Sequence, residues 1–336
     1  MEIEVEPFMR ALVTGGAGFI GSHLVEQLLN QGYKVITLDD LSTGKLRYLN
    51  NIIDHPHHIF VQGSALDRAL LRDLIEECDV IFHMAAVLGV KNTVDNPLKV
   101  IEGNIDSTRN VLELAFPRKK KVIFASTSEI YGKNEELPFA EDNSSRVLGP
   151  THIHRWCYAT AKALDEHLCF AYGEKGLPVT VVRYFNTYGP RQNGTQYGQV
   201  IPKFIKAALK NEPITIYGDG EQSRCFTFID DTVIGTIACI DAKTNQQVFN
   251  IGIDQVTTIN ELALKIKVLS NSSSEITYIP YSQAYGQGYE DMQKRVPNIL
   301  KAKQMLNYNP SVKLADGLMR TIEWYRDDLS FEGDRN

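Results

Sequence analysis

Residues 9–21 read MRALVTGGAGFIG, a short apolar run that ends in three evenly spaced glycines, Gly15, Gly18 and Gly21. The run predicts a buried strand, and apolar residues at helical spacing over 20–30 predict a helix directly after it. In such a junction the first glycine permits a tight turn and the second lets the backbone approach a pyrophosphate, while the third lets the helix pack close to the sheet. The segment therefore predicts a strand–turn–helix that binds a dinucleotide.

The rest of the chain repeats this alternation of strands and helices. Further apolar runs with strand character follow at 34–38, 59–61, 79–83, 121–125 and 179–183. This spacing predicts an α/β fold with a Rossmann-type, doubly wound parallel sheet and helices on both faces. Shorter elements punctuated by glycine after residue 186 predict a smaller C-terminal substrate-binding domain. We expect a first domain over 9–186 with a returning segment 226–254, and a second domain built from 187–225 and 255–326.

The bulk composition of the 336 residues excludes several classes of protein. A formal net charge of -6 provides no overall attraction to nucleic acid or to an anionic membrane. No stretch approaches the ~20 consecutive apolar residues of a membrane-spanning helix, and the acidic N-terminus does not resemble a signal peptide. Five cysteines without a CxxC pair argue against a disulfide framework or a zinc site. We therefore expect a cytoplasmic protein that binds neither nucleic acid nor membranes.

Asp39 ends the predicted second strand, where an acidic residue indicates which dinucleotide is bound. A carboxylate at this place accepts hydrogen bonds from the adenosine ribose hydroxyls and would repel a 2′-phosphate. NAD is therefore favoured over NADP. Phe19 and Ile20 lie between Gly18 and Gly21 at the start of the predicted helix, and we assign them to the same cofactor site.

Tyr158 and Lys162 place a phenol and an ammonium group four residues apart, on one face of a predicted helix. A free tyrosine has a pKa of roughly 10, which is too high for a base at neutral pH. A neighbouring Lys⁺ and a bound nicotinamide cation would both favour the phenolate and lower this pKa. The pair follows the fifth predicted strand, whose end at 126–129 (STSE) points to the crevice where α/β sheets bind ligands. We therefore predict that the pair is catalytic.

The GxxGxxG spacing and the YxxxK pair together resemble the extended short-chain dehydrogenase/reductase superfamily, and within it the NAD-dependent epimerase/dehydratase family. The resemblance covers nearly the whole chain. It implies NAD as the cofactor, a nucleotide-sugar substrate that is UDP-linked by default, and a homodimer. It also implies that Thr127 hydrogen-bonds the 4-hydroxyl of the sugar, that Tyr158 removes its proton, and that Lys162 holds the nicotinamide ribose while C4 gives a hydride to NAD⁺. The first domain would then bind NAD and the second the nucleotide sugar.

Other positions match the motifs of this family one by one. Ala85 stands in a His-Met-Ala-Ala segment after the fourth strand, where the family has a small-residue turn against the cofactor. Asn104 resembles the asparagine of the family's NxxGT helix, although Ser107 replaces the usual glycine. Asn186, in the segment FNTYGPR, would contact a phosphate of the substrate. Three further residues resemble the arginines that reach the diphosphate and the nucleotide with a bidentate guanidinium fork, namely Arg191, Arg224 and Arg295.

The triplet Thr127-Ser128-Glu129 bears on the reaction that follows oxidation at C4. The 4,6-dehydratases carry Thr-Asp-Glu here, and because serine is a poor general acid for the leaving hydroxyl, dehydration is disfavoured. Thr-Ser-Glu is similar to enzymes that act on UDP-glucuronate, both 4-epimerases and decarboxylases, so Ser128 and Glu129 are candidate catalytic residues. The segments 149–156 and 285–291 resemble the same branch of the family.

These motifs lead to an ordered set of functional hypotheses. We favour an NAD-dependent nucleotide-sugar 4-epimerase that acts through a transient 4-keto sugar, on UDP-glucuronate in preference to UDP-glucose, UDP-galactose or UDP-N-acetylglucosamine. The alternative is a UDP-glucuronate decarboxylase similar to UDP-xylose synthase. Cys225 stands where the family usually has aspartate, so either the lost charge suits an anionic sugar or the residue is simply small and buried. A regulatory protein that only binds NAD is disfavoured because Tyr158 and Lys162 are both present. The histidines of HPHH at 55–58 form no metal-site motif, and we expect no metal.

Overall fold

The structure, a computed structural model, describes residues 9–333 except for 89–92, 94, 193–198, 281–282 and 284–292. The strands are β1 (Arg10–Thr14), β2 (Lys34–Asp39), β3 (His58–Gln62), β4 (Val80–His83), β5 (Lys121–Thr127), β6 (Val179–Tyr184), β7 (Thr187–Tyr188), β8 (Ile214–Tyr217), β9 (Ser223–Cys225), β10 (Thr227–Phe228), β11 (Gln247–Ile251), β12 (Val256–Thr258), β13 (Ile276–Ile279) and β14 (Lys294–Arg295). The helices are α1 (Phe19–Asn30), α2 (Arg68–Glu76), α3 (Pro97–Ala115), α4 (Cys157–Glu174), α5 (Val200–Lys210), α6 (Ile229–Ile237), α7 (Ile259–Leu269), α8 (Leu300–Leu306) and α9 (Leu314–Gly333).

Seven parallel strands form the central sheet, in the order β11-β6-β5-β4-β1-β2-β3. These strands read as nearly continuous apolar runs because helices cover both faces of the sheet. Along β1, Ala11 and Val13 pack into one apolar layer and Leu12 into the other, as the two-residue period of a strand requires. The predicted fold class, a Rossmann-type doubly wound α/β sheet with a smaller C-terminal part, is confirmed.

The order of the strands reverses between β1 and β4. From β1 the sheet continues outward through β2 and β3, and from β4 it continues in the other direction through β5 and β6. In open α/β sheets such a reversal leaves a crevice at the carboxyl ends of the strands, and ligands bind there. The glycine-rich turn, the loop after β4 and the segment after β5 all leave the sheet at this edge, and together they surround the crevice.

Capping residues determine where several helices begin. Asp67 precedes α2, and its carboxylate accepts hydrogen bonds from the N–H groups of Ala69 and Leu70, both at 3.1 Å. Thr258 and Glu261 form a reciprocal capping box at the start of α7. The longer helix α4 packs against α3, β5 and β6, so that its inner face lies directly behind the crevice.

Small sheets dominate the C-terminal half of the described chain. β7 pairs with β10, β8 with β13, and β9 lies between β12 and β14, with Arg224 opposite Arg295. β11 instead joins the central sheet beside β6. From this arrangement we propose that 9–186 and 226–254 form the NAD-binding domain, and that 187–225 and 255–326 form the substrate domain. No helix in the described ranges is both long enough and apolar enough to cross a membrane.

Candidate active site

The glycine-rich turn after β1 is packed so closely that side chains have no room in it. Gly15 has φ +70°, which glycine adopts without a steric penalty, and its N–H donates to Leu38 O at 2.7 Å. A Cβ on Gly21 would lie 2.2 Å from Gly15 O and 2.7 Å from Gly16 Cα. A Cβ on Gly18 would meet only Gly15 O within 4 Å, at 3.1 Å. The turn therefore leads directly into the N-terminus of α1, where backbone N–H groups can bind a pyrophosphate.

Gly21→Ala is expected to destabilise the fold by about 1–3 kcal/mol, because the added methyl group collides with backbone atoms of the turn. It should also weaken NAD⁺ binding, since the turn must open to relieve the collision. Gly18→Ala is the matched variant, because its methyl group has more room but stands where the pyrophosphate would approach. We expect it to weaken NAD⁺ binding with little change in thermal stability. Calorimetric titration and thermal unfolding separate the two effects, and a wild-type unfolding temperature for Gly21→Ala would contradict the close packing.

Asp39 ends β2 beside the glycine-rich turn. Its carboxylate oxygens accept hydrogen bonds from the N–H groups of Ala17 (2.9 Å) and Leu41 (2.8 Å). Burial raises the pKa of Asp39, and these two hydrogen bonds oppose the rise. The carboxylate lines a cavity formed with the loops after β1 and β4, which is where the proposed ribose contact needs it. Phe19 and Ile20 begin α1 and pack, partly buried, against the apolar core beside the turn.

The loop after β4 is fixed from both sides. The N–H of Ala85 donates to Thr14 Oγ1 at 3.2 Å, which holds the loop against β1, and Ala85 lines the same cavity as Asp39. Asn104, fully buried on α3, donates from Nδ2 to Val87 O (2.8 Å) and to Val100 O (2.6 Å). The structure thus places Asn104 beneath the loop, so any contribution that it makes to cofactor binding is exerted through the loop backbone.

Tyr158 and Lys162 lie one turn apart on α4. Lys162 is 1% exposed, and its Nζ lies 4.5 Å from the ring centre of Phe124 on β5. Burial raises the pKa of Tyr158, and the negative charges of Glu129 and Asp165 raise it further. The expectation that Lys162 lowers this pKa is therefore wrong for the protein by itself, because desolvation dominates. In the protein by itself the phenol is therefore protonated at neutral pH.

The residues around the crevice fit NAD. Lys162 Nζ has no hydrogen-bond partner among the residues that the structure describes, and a buried ammonium group without one is costly. A ribose hydroxyl would satisfy this group, a pyrophosphate would fit the glycine-rich turn, and a second ribose would fit beside Asp39. The three features line one continuous edge of the central sheet.

Glu129 lies at the centre of a buried ionic cluster. Its carboxylate is paired with Arg155 Nη1 at 2.7 Å and with Arg295 Nη1 at 3.7 Å. Burial alone would raise the pKa of Glu129, but Arg155 and then Arg295 hold it at about 2, so the group stays ionised. Thr127 ends β5 and accepts a hydrogen bond at Oγ1 from the N–H of Glu129 (3.2 Å), while Ser128 is buried between them. The predicted triplet therefore lies beside the predicted Arg295.

The four predicted substrate contacts fall into two groups. Arg224 and Arg295 are neighbours across β9 and β14, and the side chain of Asn186 donates to the β9 backbone at Cys225 O (3.3 Å). Arg191 contacts a different element, because its guanidinium pairs with Glu26 of α1 at 2.8 Å. The structure therefore brings Asn186, Arg224 and Arg295 together and leaves Arg191 linked to the Rossmann helix.

Arg155 is the residue of this site that the sequence did not single out. It precedes Tyr158 by three residues, within a segment that we noted only for its resemblance to one branch of the family. Its partner Glu129 is distant in sequence, so no local pattern could reveal the pair. Cys225 is fully buried, and burial raises its pKa to about 12, so it contributes a neutral thiol. The segment 285–291 lies outside the described residues.

Comparison with known proteins agrees with this geometry. The NAD dependent epimerase/dehydratase family matches residues 11–252. The UDP-N-acetyl-alpha-D-glucosaminuronate decarboxylase of Bacillus cytotoxicus is 46% identical over 318 residues, which cover 95% of this chain and 98% of that protein. UDP-glucuronic acid decarboxylase 1 of Xenopus tropicalis is 36% identical over 326 residues, which cover 96% of this chain and 73% of that protein.

A solved structure extends the likeness to three dimensions. The UDP-glucuronic acid 4-epimerase from Bacillus cereus, in complex with UDP-glucuronic acid and NAD, has a TM-score of 0.84 and 30% identity to this chain. The match covers 95% of this chain and 99% of that chain. The family match spans the glycine-rich turn, the YxxxK helix and β11. The chain therefore belongs to the NAD dependent epimerase/dehydratase family and is an NAD-dependent enzyme.

Proposed function

We propose that the protein decarboxylates a UDP-linked hexuronate through NAD-dependent oxidation at C4 of the sugar. The observation that carries this proposal is the ionic cluster of Glu129 with Arg155 and Arg295, which Arg224 adjoins. Guanidinium groups at this density suit a ligand that carries both a diphosphate and a carboxylate. Relatives that decarboxylate UDP-linked hexuronates support this reaction over the 4-epimerisation that we favoured from the sequence.

Oxidation begins at the 4-hydroxyl of the sugar. Thr127 would hydrogen-bond this hydroxyl, and Tyr158, as its phenolate, would accept the hydroxyl proton. When bound, NAD⁺ supplies the hydride acceptor for C4 and makes the phenolate of Tyr158 easier to form. Lys162, buried and cationic, would orient the ribose and add a second positive charge near the phenolate. Each of these steps uses a side chain at the end of β5 or on α4.

Loss of CO₂ follows from the chemistry of the oxidised sugar. A 4-keto hexuronate is a β-keto acid, so the electrons of the C5–C6 bond can move into an enolate with C4 as CO₂ departs. A proton from solvent at C5, return of the hydride to C4 and return of the proton from Tyr158 to the C4 oxygen would then complete a UDP-pentose. Arg155, Arg224 and Arg295 would hold the sugar carboxylate and the diphosphate, while Glu129, ionised at neutral pH, would fix the guanidinium groups in place.

The direct test is incubation of the purified protein with NAD⁺ and either UDP-glucuronate or UDP-N-acetylglucosaminuronate. The anomeric and C5 protons are followed by NMR while CO₂ release is measured. CO₂ together with a UDP-pentose, or with its 2-acetamido counterpart, is the expected result and identifies which sugar is used. UDP-galacturonate without CO₂ would establish the 4-epimerase instead. Conversion of UDP-glucose or UDP-N-acetylglucosamine alone would overturn the inference that the arginines select a carboxylate.

Arg295→Gln is expected to lower kcat/KM for the hexuronate by roughly 30-fold or more, because removing one member of a buried charged contact costs about 2–5 kcal/mol. Its neighbour Glu129 would also lose one of its partners. The exposed Arg118, paired with Glu76, provides the control, and Arg118→Gln should leave kcat/KM within a few-fold of wild type. Steady-state kinetics of both variants provide the measurement. Equal losses of kcat/KM would show that Arg295 does not belong to the proposed site.

A further inference from the structure

Asp165 is a buried carboxylate that neither the sequence nor the proposed reaction accounts for. It follows Lys162 by three residues on α4 and is 0% exposed. The Thr108 hydroxyl adjoins its carboxylate, and Lys162 Nζ has no hydrogen-bond partner among the described residues. Residues three apart on a helix are neighbours on its surface. Two buried residues of opposite charge therefore occupy neighbouring positions on one face of α4, behind the crevice.

Other charged or titratable groups come from every element around this pair. They are His83 on β4, Arg109 on α3, Glu129 after β5, and Tyr158, Glu166 and Cys169 on α4. Most of them are neutral or already paired. Burial lowers the pKa of His83 to about 3, so the ring is neutral, and burial raises the pKa of Cys169 far above its ordinary value.

The remaining carboxylate on the inner face of α4 is neutralised by a strong ion pair. Glu166 is bound by Arg183 through two hydrogen bonds, at 3.0 and 2.7 Å. Arg109 pairs with Asp106 at 3.1 Å, on the exposed side of α3. The Thr108 hydroxyl adjoins Asp165 but also contacts His83 Nε2, at 3.4 Å. Within the described ranges, Asp165 is thus the carboxylate left to balance Lys162.

We propose that Asp165 is a positioning residue that holds Lys162 as a cation in its buried position beside Tyr158 and the cofactor. The proposal rests on the roles given to Tyr158 and Lys162 in the proposed function. Burial disfavours the charged form of Lys162, and Asp165 is the charge that most opposes this effect. Without Asp165 the ammonium group of Lys162 would release its proton more readily and would no longer present a positive charge to the cofactor.

The burial of Asp165 costs stability, which argues against a role in packing alone. Burial raises the pKa of Asp165 to about 6, above the ordinary value of roughly 3.9, and the charge of Lys162 only partly opposes the rise. Proton binding to Asp165 therefore favours the folded state. Its stabilising effect is complete below the ordinary pKa and is lost as the pH rises through about 6. At neutral pH the carboxylate is largely ionised, and a buried negative charge needs an opposite charge beside it, which Lys162 supplies.

The first test is the pH profile of kcat for Asp165→Asn on the substrate that the wild type converts. Removal of the negative charge lowers the pKa of both Lys162 and Tyr158, so both limbs of the profile should move to lower pH, by about one unit. A purely structural defect would lower the rate without moving the limbs together. Asp165→Ser, smaller and also uncharged, should give the same displacement. Asp73→Asn, at an exposed carboxylate on α2, is the control that should leave the profile unchanged.

A second test does not depend on the substrate. Calorimetric titration with NAD⁺ across neutral to alkaline pH should show affinity falling at lower pH in Asp165→Asn than in wild type. Coincident affinity profiles for the variants and wild type would overturn the proposal. If the wild type converts no UDP-hexuronate while the affinity profiles still separate, the proposed function fails and the role of Asp165 stands.

Discussion

Tyr158→Phe is expected to lower kcat by about 10²–10⁴-fold while leaving NAD⁺ affinity nearly unchanged. The substitution removes only the phenolic oxygen, which is the atom proposed to take the proton from the sugar. Burial raises the pKa of this phenol in the protein alone, so the phenol is protonated there at neutral pH. Turnover and NAD⁺ titration measured on the same preparation provide the comparison.

A second tyrosine on α4 supplies the control for this variant. Tyr172 lies near the other end of the helix, where its ring contacts Phe116 at 5.6 Å. Tyr172→Phe should therefore retain wild-type turnover. If Tyr158→Phe keeps a rate within a few-fold of this control, the proton must leave the 4-hydroxyl by another route, and the assignment of Tyr158 is wrong.

Arg183→Met is expected to lower the free energy of unfolding by about 3–5 kcal/mol, because it leaves Glu166 as a buried charge without its partner. Arg183 reaches from β6 to α4 and also donates to Tyr131 Oη at 2.8 Å. It thereby fixes the helix that carries Tyr158 and Lys162 against the central sheet. Urea denaturation measures the loss, and weaker turnover should accompany it.

Two further variants establish the cause of this loss. The double variant Arg183→Met with Glu166→Leu should recover part of the stability, since no isolated charge remains buried. Arg320→Met removes an exposed ion pair with Asp230 at 2.8 Å and should cost less than about 1 kcal/mol. A double variant that is less stable than Arg183→Met would show that packing, and not the stranded carboxylate, determines the effect.

The sequence predicted the central sheet well because its strands are buried on both faces and read as plain apolar runs. The strand predicted over 34–38 continues one residue further in the structure, to Asp39. The helix predicted over 20–30 begins one residue earlier, at Phe19. Glycine spacing also predicted the tight turn, since the backbone conformation of Gly15 and the lack of space at Gly21 restrict both positions to glycine. These are local properties of the chain, so short sequence patterns are sufficient to predict them.

Contacts between distant segments could not be read in this way. The pairing of Glu129 with Arg155, and that of Arg191 with Glu26, joins residues that share no periodic pattern. The direction of the Tyr158 pKa was also mispredicted, because a sequence shows that Lys162 is near but not how deeply the phenol is buried. The role of Asp165 could not be predicted for the same reason, because the helical pattern around it does not show that its carboxylate is buried. The homodimer that the family resemblance implies stays a prediction.

The small sheet of β9, β12 and β14 has a consequence for how the enzyme is assembled during synthesis. The glycine-rich turn, Tyr158 and Lys162 are all translated before β6, whereas Arg295 belongs to the last of the described strands. Domains fold in the order in which the ribosome delivers them. The residues around the proposed cofactor crevice are therefore synthesised before Arg295, which is proposed to contact the nucleotide sugar. On the proposed roles, the substrate contact of Arg295 is added last, and a polypeptide released before β14 would lack it.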